Sequence, residues 1–192
     1  MKEFLQDLGL NHDAVSELSY IIKDYSYAIA TLDAYDRNAL SIEQTTSQQG
    51  SAINYENASS AIAHLQKKLI EKKQATDLFG KEREQSGFDS SLNAIYQTFS
   101  GKDLYPSIEE KAAHLLYFIV KNHPFVDGNK RIGAFIFIWF LNLNKLLYSA
   151  KGSKRIADNA LIALTLLVAE SKTKDKDTVI NLIVHLINKS NQ

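Results

Sequence analysis

Hydrophobic residues recur every three or four positions along most of this 192-residue chain, which predicts a largely helical protein. The first such segment extends from about residue 13 to residue 35, and either Asn11 or Asp13 is suited to cap it. Further helices are predicted at about 57–73, 92–99, 129–144, 158–170 and 178–188. No alternation typical of strands extends beyond a few residues, so the pattern favours an all-α fold.

Another predicted helix lies between the two prolines of the chain, Pro106 and Pro124. Ser107 and Glu110 have the spacing of a capping box, in which each side chain accepts a hydrogen bond from the other residue's backbone N–H. Proline disfavours the α conformation in the residue before it, so this helix is expected to end at His123. A loop therefore separates it from the helix that follows.

Two polar segments divide the helices. Leu40–Gly50, rich in Ser, Thr and Gln, is interpreted as a loop or flexible connector, and the charged segment Leu78–Ser91 as a loop or short hairpin. The apolar run at 132–141 predicts a central helix that is buried on all sides. We therefore expect a helical bundle around this helix, with residues 1–75 as an N-terminal helical extension and residues 76–192 as the core.

Composition excludes several classes of function. The chain contains 22 basic and 22 acidic residues, and its zero net charge gives no electrostatic argument for binding nucleic acid or an anionic membrane. It contains no cysteine, which excludes disulfides, thiol chemistry and cysteine-ligated metals. The N-terminus lacks the apolar core of a signal peptide, and the longest apolar run is about half of the ~20 residues that span a bilayer. A cytoplasmic protein without nucleic-acid or membrane partners is expected.

The loop after the proline-bracketed helix, His123–Arg131, reads HPFVDGNKR and leads into the predicted buried helix. Unpaired backbone N–H groups at a helix N-terminus attract phosphate. Gly128 lets the backbone approach a ligand, and Asn129 can cap the helix or donate to a phosphate oxygen. The planar guanidinium of Arg131 suits phosphate. The loop therefore has the residue types of an anion site.

Three further side chains of the loop complete a candidate active site. The carboxylate of Asp127 is a ligand that Mg²⁺ accepts beside nucleotide phosphates, and His123 can take a proton from an attacking hydroxyl. Phe125 is apolar and is expected to anchor the loop in the core. Phosphoryl and nucleotidyl transfer require this combination of base, metal ligand and phosphate site. Taken singly, each residue also fits a structural role in a turn or a helix cap, and the residues alone leave the reaction undecided.

The loop resembles the Fic/Doc (Fido) signature HxFx(D/E)GN(G/K)RxxR, which it matches without a gap from His123 to Arg131. The segments LYPSIEEKAAHLLYFIVKNHPF and ALIALTLLVAES are similar to the death-on-curing (Doc) branch of that family. The resemblance covers roughly residues 94–187. It implies a Fido-type helical fold and transfer of a group from ATP, with Mg²⁺, to a side-chain hydroxyl of a target protein.

The resemblance also implies a role for each residue of the loop. His123 would be the general base and Asp127 the Mg²⁺ ligand. Phe79–Gly87 would be a β-hairpin flap on which the target's peptide docks. The phosphate site would be lined by Gly128, Asn129, Lys130 and Arg131.

Two positions depart from the pattern of the AMP-transferring members. Lys130 stands where those enzymes have glycine, and Ala134 where they have a second arginine that grips the outer phosphates of ATP. Both departures resemble the Doc branch, whose members can bind ATP reversed and transfer its γ-phosphate. Phosphoryl transfer is therefore slightly favoured over AMP transfer (AMPylation).

Inhibition has two candidate sources. Many Fido enzymes carry an inhibitory helix with the motif (S/T)xxxE(G/N), and Ala52–Asn57 comes closest here, with Glu56 as the candidate regulatory residue. Ala52 departs from the motif and the second arginine is absent, so a plain surface role for Glu56 is favoured. A separate antitoxin protein, as in Doc-like toxin systems, is the alternative.

Other side chains predict no second site. The remaining histidines lack metal-ligand spacing and are expected on helix surfaces: His12, His64, His114 and His185. Three functions stay open, namely an ATP-dependent transferase, a degenerate domain that binds nucleotide or a partner without chemistry, and a plain helical interaction domain. The transferase is favoured because the base, the metal ligand and the phosphate-site residues are all intact.

Overall fold

The computed structural model describes residues 12–188 except 41, 44, 47–49 and 85–86, with side chains described from residue 22 onward. Contacts within the chain define two compact units, residues 1–40 and 41–192. The first contains helix α1 (His12–Asp36), which is followed by Asn38 in a left-handed conformation with φ of 52°. The predicted cap Asn11 lies outside the described residues, and Asp13 lies within the helix.

The second unit is helical apart from one small sheet among its described residues, and the prediction of an all-α fold is confirmed. Throughout the described ranges, no helix combines the length and the apolar character needed to cross a membrane. The elements, in order, are α2 (Tyr55–Glu71), α3 (Gly87–Asn93), a 3₁₀ turn (Ala94–Tyr96), β1 (Thr98–Phe99), β2 (Lys102–Asp103), α4 (Ile108–Asn122), α5 (Asn129–Leu143), α6 (Asp158–Glu170), a second 3₁₀ turn (Thr173–Asp175) and α7 (Lys176–Asn188).

The division by contacts lies between residues 40 and 41, whereas the sequence predicted a boundary between residues 75 and 76. Helix α2 belongs to the second unit because its residues Ala58 and Ile62 are buried in the core of that unit. The amphipathic spacing of α2 identifies a helix but does not indicate which core its apolar face joins.

Helix α4 occupies the centre of the second unit and contacts α3, α5, α6 and α7. Its start is fixed by the predicted capping box, since Ser107 Oγ accepts from the Glu110 N–H at 3.1 Å and the Glu110 carboxylate accepts from the Ser107 N–H at 3.0 Å. The apolar run at 132–141 predicts that α5 is the central helix and is buried on all sides. In the structure, however, Phe135, Ile138 and Trp139 of α5 are only half-buried. The helix with the most helical neighbours is therefore α4.

Helices α4 and α5 pack closely at Gly133. A Cβ at this position would lie 2.9 Å from Val120 Cγ2 and 3.5 Å from Ile119 Cγ2, so a larger residue would push the helices apart. Ile132 and Ile136, on either side of the glycine, are fully buried. This packing fixes the N-terminus of α5, and with it the loop that joins the two helices.

The segment predicted as a flexible connector is docked where the structure describes it. Thr46 donates from its backbone N–H and its hydroxyl to the buried Glu109 carboxylate, at 2.9 and 2.8 Å. A buried carboxylate requires hydrogen-bond partners, and its position at the start of α4 is favoured by the helix dipole. Beyond this segment, the Ser51 N–H donates to Asn144 Oδ1 at 2.7 Å. At Thr46 the segment is therefore a docked loop, and of the two predicted alternatives the loop fits and the flexible connector does not.

The β-hairpin lies outside the segment that was predicted to form it. Strands β1 and β2 pair antiparallel, with Thr98 opposite Asp103 and Phe99 opposite Lys102. The described residues of 79–87 form bridges to the loop after α4 instead of a hairpin of their own. The predicted loop therefore fits this segment, whereas the short hairpin lies at 98–103 and not in the flap, because the partners of the flap segment are distant in sequence.

His114 is buried, contrary to the prediction that it lies on a helix surface. Its ring stacks on Tyr105 with centroids 3.7 Å apart, and its Nδ1–H donates to the Glu110 carbonyl at 2.9 Å. The pKa of His114 is lowered to about 4, mainly because the ring is buried and in smaller part because the charge of Lys176 on α7 disfavours the protonated ring. The partners that cover this face of α4 come from other elements, which the periodicity of α4 alone does not reveal.

Candidate active site

The loop between α4 and α5 begins at His123, which closes α4 in a left-handed conformation. Its φ and ψ are 49° and 53°, a region that non-glycine residues rarely occupy. Pro124, which follows, is buried, whereas the His123 side chain is exposed. The reversal of the backbone therefore leaves the imidazole accessible while the rest of the loop enters the core.

The amide of Asn129 holds the loop in shape. Its Oδ1 accepts from the Phe125 N–H at 2.9 Å, and its Nδ2 donates to the Phe125 carbonyl at 2.8 Å. Asn129 and Phe125 are both buried, and the Phe125 ring lies 4.9 Å from the ring of Phe88. The Asn129 side chain thus shapes the loop, which leaves its backbone N–H for the predicted phosphate site.

Helix α5 begins with unpaired donors. Gly128 is its N-cap, with φ of 93°, and has no side chain to cap the helix. The first intrahelical hydrogen bond runs from the Ile132 N–H to the Gly128 carbonyl at 2.8 Å. The N–H groups of Asn129, Lys130 and Arg131 precede this bond and have no acceptor within the helix. Such donors, together with the helix dipole, favour an anion.

The ring of Phe79 supports this helix start. A Cβ on Gly128 would lie 2.5 Å from Phe79 Cε2, so the ring packs directly against the glycine. The guanidinium carbon of Arg131 lies 4.6 Å from the centroid of the same ring, and Phe79 is fully buried. A residue from the flap segment therefore positions two residues of the predicted phosphate site.

Arg131 and Asp127, the predicted phosphate and metal ligands, pair with each other. Arg131 Nη2 lies 3.3 Å from Asp127 Oδ2, and Arg131 Nη1 donates to the Gln74 carbonyl at 2.8 Å. The Arg131 and Asp127 side chains are 45% and 48% exposed, so the ion pair is weak and can exchange for a charged ligand.

Residues 79–84 of the flap segment lie beside the loop. The Gly80 N–H donates to the Asp127 carbonyl at 3.1 Å, and the Val126 N–H donates to the Lys81 carbonyl at 2.8 Å. These backbone hydrogen bonds hold the segment against the candidate site.

Arg83 also lines the site, although no motif in the sequence identifies it. Its backbone N–H donates to the Pro124 carbonyl at 2.8 Å, and its Nε donates to the Phe125 carbonyl at 2.9 Å. The only sequence signal is a cation in the flap segment, and the neighbouring charges KERE gave no reason to prefer it.

The loop, the flap segment and the start of α5 surround a pocket of about 320 Å³. It brings together the predicted base, the predicted metal ligand and the predicted phosphate site, and it adds Arg83 from the flap. The lining residues are Arg83, His123, Val126, Asp127, Gly128, Asn129, Lys130 and Arg131.

The family model described as Fic/DOC family matches residues 57–141, which include the loop and most of α5. Over these residues the chain is similar to the Fic/Doc family. Toxin Doc of Mycolicibacterium smegmatis is 38% identical over 71 residues, which make up 36% of this chain and 54% of that protein. The chain thus spans about half the length of this curated relative. No solved structure matches the chain significantly. The predicted resemblance to this family and its Doc branch is confirmed.

The candidate site offers one carboxylate, that of Asp127, to a metal ion. Across the residues that the structure describes, no group of three His, Cys, Asp or Glu side chains is placed to hold a metal. Asp127 is half-exposed and lines the pocket, which fits an ion that is shared between one carboxylate and nucleotide phosphates. Mg²⁺ is commonly held in this way.

Glu56, the candidate regulatory residue, is exposed in the first turn of α2 and is not among the residues that line the pocket. The neighbouring Tyr55 hydroxyl donates to Glu82 Oε1 at 2.5 Å, which links the start of α2 to the flap segment. A regulatory role for Glu56 stays a prediction.

Ala134 lies on the same helix but faces a different cavity. It lines an apolar groove of about 300 Å³ together with Leu161, Ile162 and Leu166 of α6. The position at which AMP-transferring relatives have their second arginine thus contributes a methyl group to an apolar surface.

Proposed function

We propose that this chain is an ATP-dependent transferase that modifies a side-chain hydroxyl of another protein, with phosphoryl transfer slightly favoured over AMP transfer. The observation that carries the proposal is the pocket in which His123 and Asp127 lie beside the unpaired N–H groups at the start of α5. The match to the Fic/Doc family model supports it, because members of this family are typically ATP-using transferases.

In the proposed reaction, a ring nitrogen of His123 takes the proton of the target hydroxyl while the hydroxyl oxygen bonds to a phosphorus atom of ATP. In phosphoryl transfer the γ-phosphorus separates from its bridging oxygen and ADP leaves. In AMP transfer the α-phosphorus separates from its bridging oxygen and pyrophosphate leaves. The exposed position of His123 suits a hydroxyl that arrives on a second protein.

The residues around the pocket have complementary tasks in this proposal. The N–H groups at the start of α5, with Lys130 and Arg131, bind phosphate oxygens. Asp127 would hold Mg²⁺ and release Arg131 from their ion pair for the nucleotide. When bound, Mg²⁺ supplies positive charge that offsets the charge of the phosphates.

The slight preference for phosphoryl transfer comes from two positions. Lys130 adds a cation where AMP-transferring relatives have glycine, and Ala134 removes the arginine that grips the outer phosphates.

The target's peptide would dock along the flap segment, 79–84, and the following residues to 87. This segment already pairs with the loop through its backbone, so a peptide bound to it would lie beside His123. Peptides commonly bind proteins by adding to an extended segment in this way.

The decisive experiment uses ATP labelled at either the α or the γ phosphate and a cell lysate as the source of targets. Label that enters protein from γ alone supports phosphoryl transfer, and label from α identifies AMP transfer. Nucleotide binding with no label in any protein would support the alternative of a binding module without chemistry. That alternative is kept because Ala134 replaces the second arginine.

His123→Ala is expected to lower the rate of transfer by about 10²–10⁴-fold, because it removes the proposed general base. The matched control is His64→Ala, since His64 is exposed on α2 and does not line the pocket. Initial rates of label transfer measure both. An unchanged rate in His123→Ala would contradict the assignment.

The relative named Toxin Doc suggests that a separate inhibitory protein restrains this chain. The exposed position of Glu56 away from the pocket favours such a partner over inhibition from within the chain. Co-expression of the chain with open reading frames that flank its gene tests this point, since an antitoxin would restore growth that the chain alone arrests.

A further inference from the structure

The structure assigns to Arg83 a direct contact with the phosphates of the nucleotide, as a second arginine of the site. This inference rests on the proposed function, since it concerns the same nucleotide. Arg83 lines the pocket together with His123, Asp127 and the start of α5. It reaches the pocket from the flap segment, whereas Ala134 on α5 offers only a methyl group where AMP-transferring relatives have an arginine.

The backbone and the side chain of Arg83 are both tied to the loop. The backbone N–H donates to the Pro124 carbonyl at 2.8 Å, and Nε donates to the Phe125 carbonyl at 2.9 Å. The guanidinium is therefore held at the pocket before any ligand arrives. A group held in place in this way loses less conformational freedom on binding than a free side chain does.

Most of the hydrogen-bond donors of the Arg83 guanidinium are available to a ligand. A guanidinium carries five N–H groups, and only the one on Nε is used, since no hydrogen bond from the two terminal nitrogens of Arg83 exists within the described part of the chain. By contrast, Arg131 donates to Gln74, pairs with Asp127 and stacks over Phe79. Before a ligand binds, the fork on Arg83 is thus already open to phosphate oxygens, whereas Arg131 must first leave Asp127.

The charge of the pocket fits this role. Its lining contains three cationic side chains and one carboxylate, so an excess of positive charge faces any ligand. Without Arg83, the carboxylate would offset one of the two remaining cations. The flap arginine therefore supplies much of the charge that attracts a polyphosphate.

A purely structural role does not require an arginine at this position. The Phe125 carbonyl also accepts from Asn129 Nδ2 at 2.8 Å, so the loop has a second, independent tie. A glutamine could donate one N–H from nearly the same place as Nε, because its amide nitrogen follows the same number of carbon atoms. The two terminal nitrogens and the charge are what only arginine provides.

The test is Arg83→Gln, which can keep the hydrogen bond to Phe125 but removes the charge and the terminal nitrogens. Arg155→Gln is the matched control, since Arg155 lies outside the pocket and its Nε likewise donates to a backbone carbonyl, that of Tyr148. Calorimetry of the full chain with Mg·ATP and with adenosine gives the affinities, and thermal unfolding reports the integrity of the fold.

Arg83→Gln is expected to weaken Mg·ATP binding by about tenfold or more, because charge-assisted hydrogen bonds are lost. Its melting temperature and its response to adenosine should match those of the wild type, and Arg155→Gln should bind Mg·ATP as the wild type does. Equal Mg·ATP affinity in Arg83→Gln, or a loss accompanied by a lower melting temperature, would overturn the assignment and leave the proposed function standing. A wild-type chain that does not bind Mg·ATP would overturn the proposed function and this assignment together.

Discussion

Two independent constraints select glycine at position 128. Its φ of 93° lies in the region that favours glycine, and a Cβ would overlap the Phe79 ring at 2.5 Å. The loop motif predicts a glycine here for close approach to a ligand. The contact with Phe79 adds a structural reason that is visible only when the flap segment is in place.

Gly128→Ala should therefore destabilise the fold more than an alanine at a glycine that only has positive φ. Gly152 is the matched control, with φ of 80° and, among the described residues, no atom within 4 Å of the place that an added Cβ would occupy. Gly152→Ala is expected to cost about 1 kcal/mol, and Gly128→Ala about 1–3 kcal/mol more because a buried ring must move. Denaturant unfolding measures both, and equal losses would contradict the role of Phe79.

At the scale of single elements, helix starts are the part of the fold that the sequence predicts best. The capping box of α4 depends on Ser107 and Glu110, which are three residues apart, so its geometry needs no distant partner. The end of α4 at His123 follows equally from the proline that comes next. Local sequence is sufficient for both because the interactions that decide them are local.

Ser107→Ala should lower the free energy of unfolding by about 1 kcal/mol, since it removes the side chain that caps α4. Ser60→Ala is the control, because Ser60 is exposed within α2 and alanine favours a helix there. Urea unfolding at neutral pH measures the two variants. Equal free energies of unfolding in Ser107→Ala and Ser60→Ala would contradict the capping role of Ser107.

The pairing partners of the flap segment and the position of the hairpin could not be predicted from the sequence of each segment. Residues 79–84 carry glycine and charge, which are typical of a turn, yet they pair with the loop after α4. The observed hairpin occupies 98–103, where a helix was predicted to extend to residue 99. Short extended segments depend on their partners, and the sequence of one strand does not identify the other.

At the scale of the whole molecule, His114 is surrounded by three separate parts of the chain. Tyr105 stacks on it from the segment before α4, Phe118 lies one turn along α4, and Lys176 and Asp177 approach from α7. Burial disfavours the charged imidazole, so the pKa falls to about 4. This environment exists only when α4 and α7 are packed together.

The folded chain should lose stability as the pH falls from about 6.5 to about 4. Above this window His114 is neutral in both states. Within it, the unfolded chain binds a proton that the folded chain does not, so the free energy of unfolding falls by up to roughly 3 kcal/mol. Urea unfolding at pH 7 and pH 5 measures the effect.

His114→Phe should reduce this pH dependence, since phenylalanine can stack on Tyr105 but does not titrate. His64→Phe, on the exposed face of α2, should leave the dependence unchanged. If both variants lose stability with falling pH to the same extent as the wild type, the burial of His114 does not control it.

Most of the helices, the capping box, the end of α4 and the residue types of the loop from His123 to Arg131 follow from local sequence alone. Each of these depends on neighbours within a few residues, through periodicity, backbone sterics or a short motif. The distant residues that join them become visible only in the folded chain: Arg83 at the pocket, Phe79 beneath Gly128 and Tyr105 over His114. Those contacts arise when separate apolar faces pack together, and no local pattern in the chain specifies which faces meet.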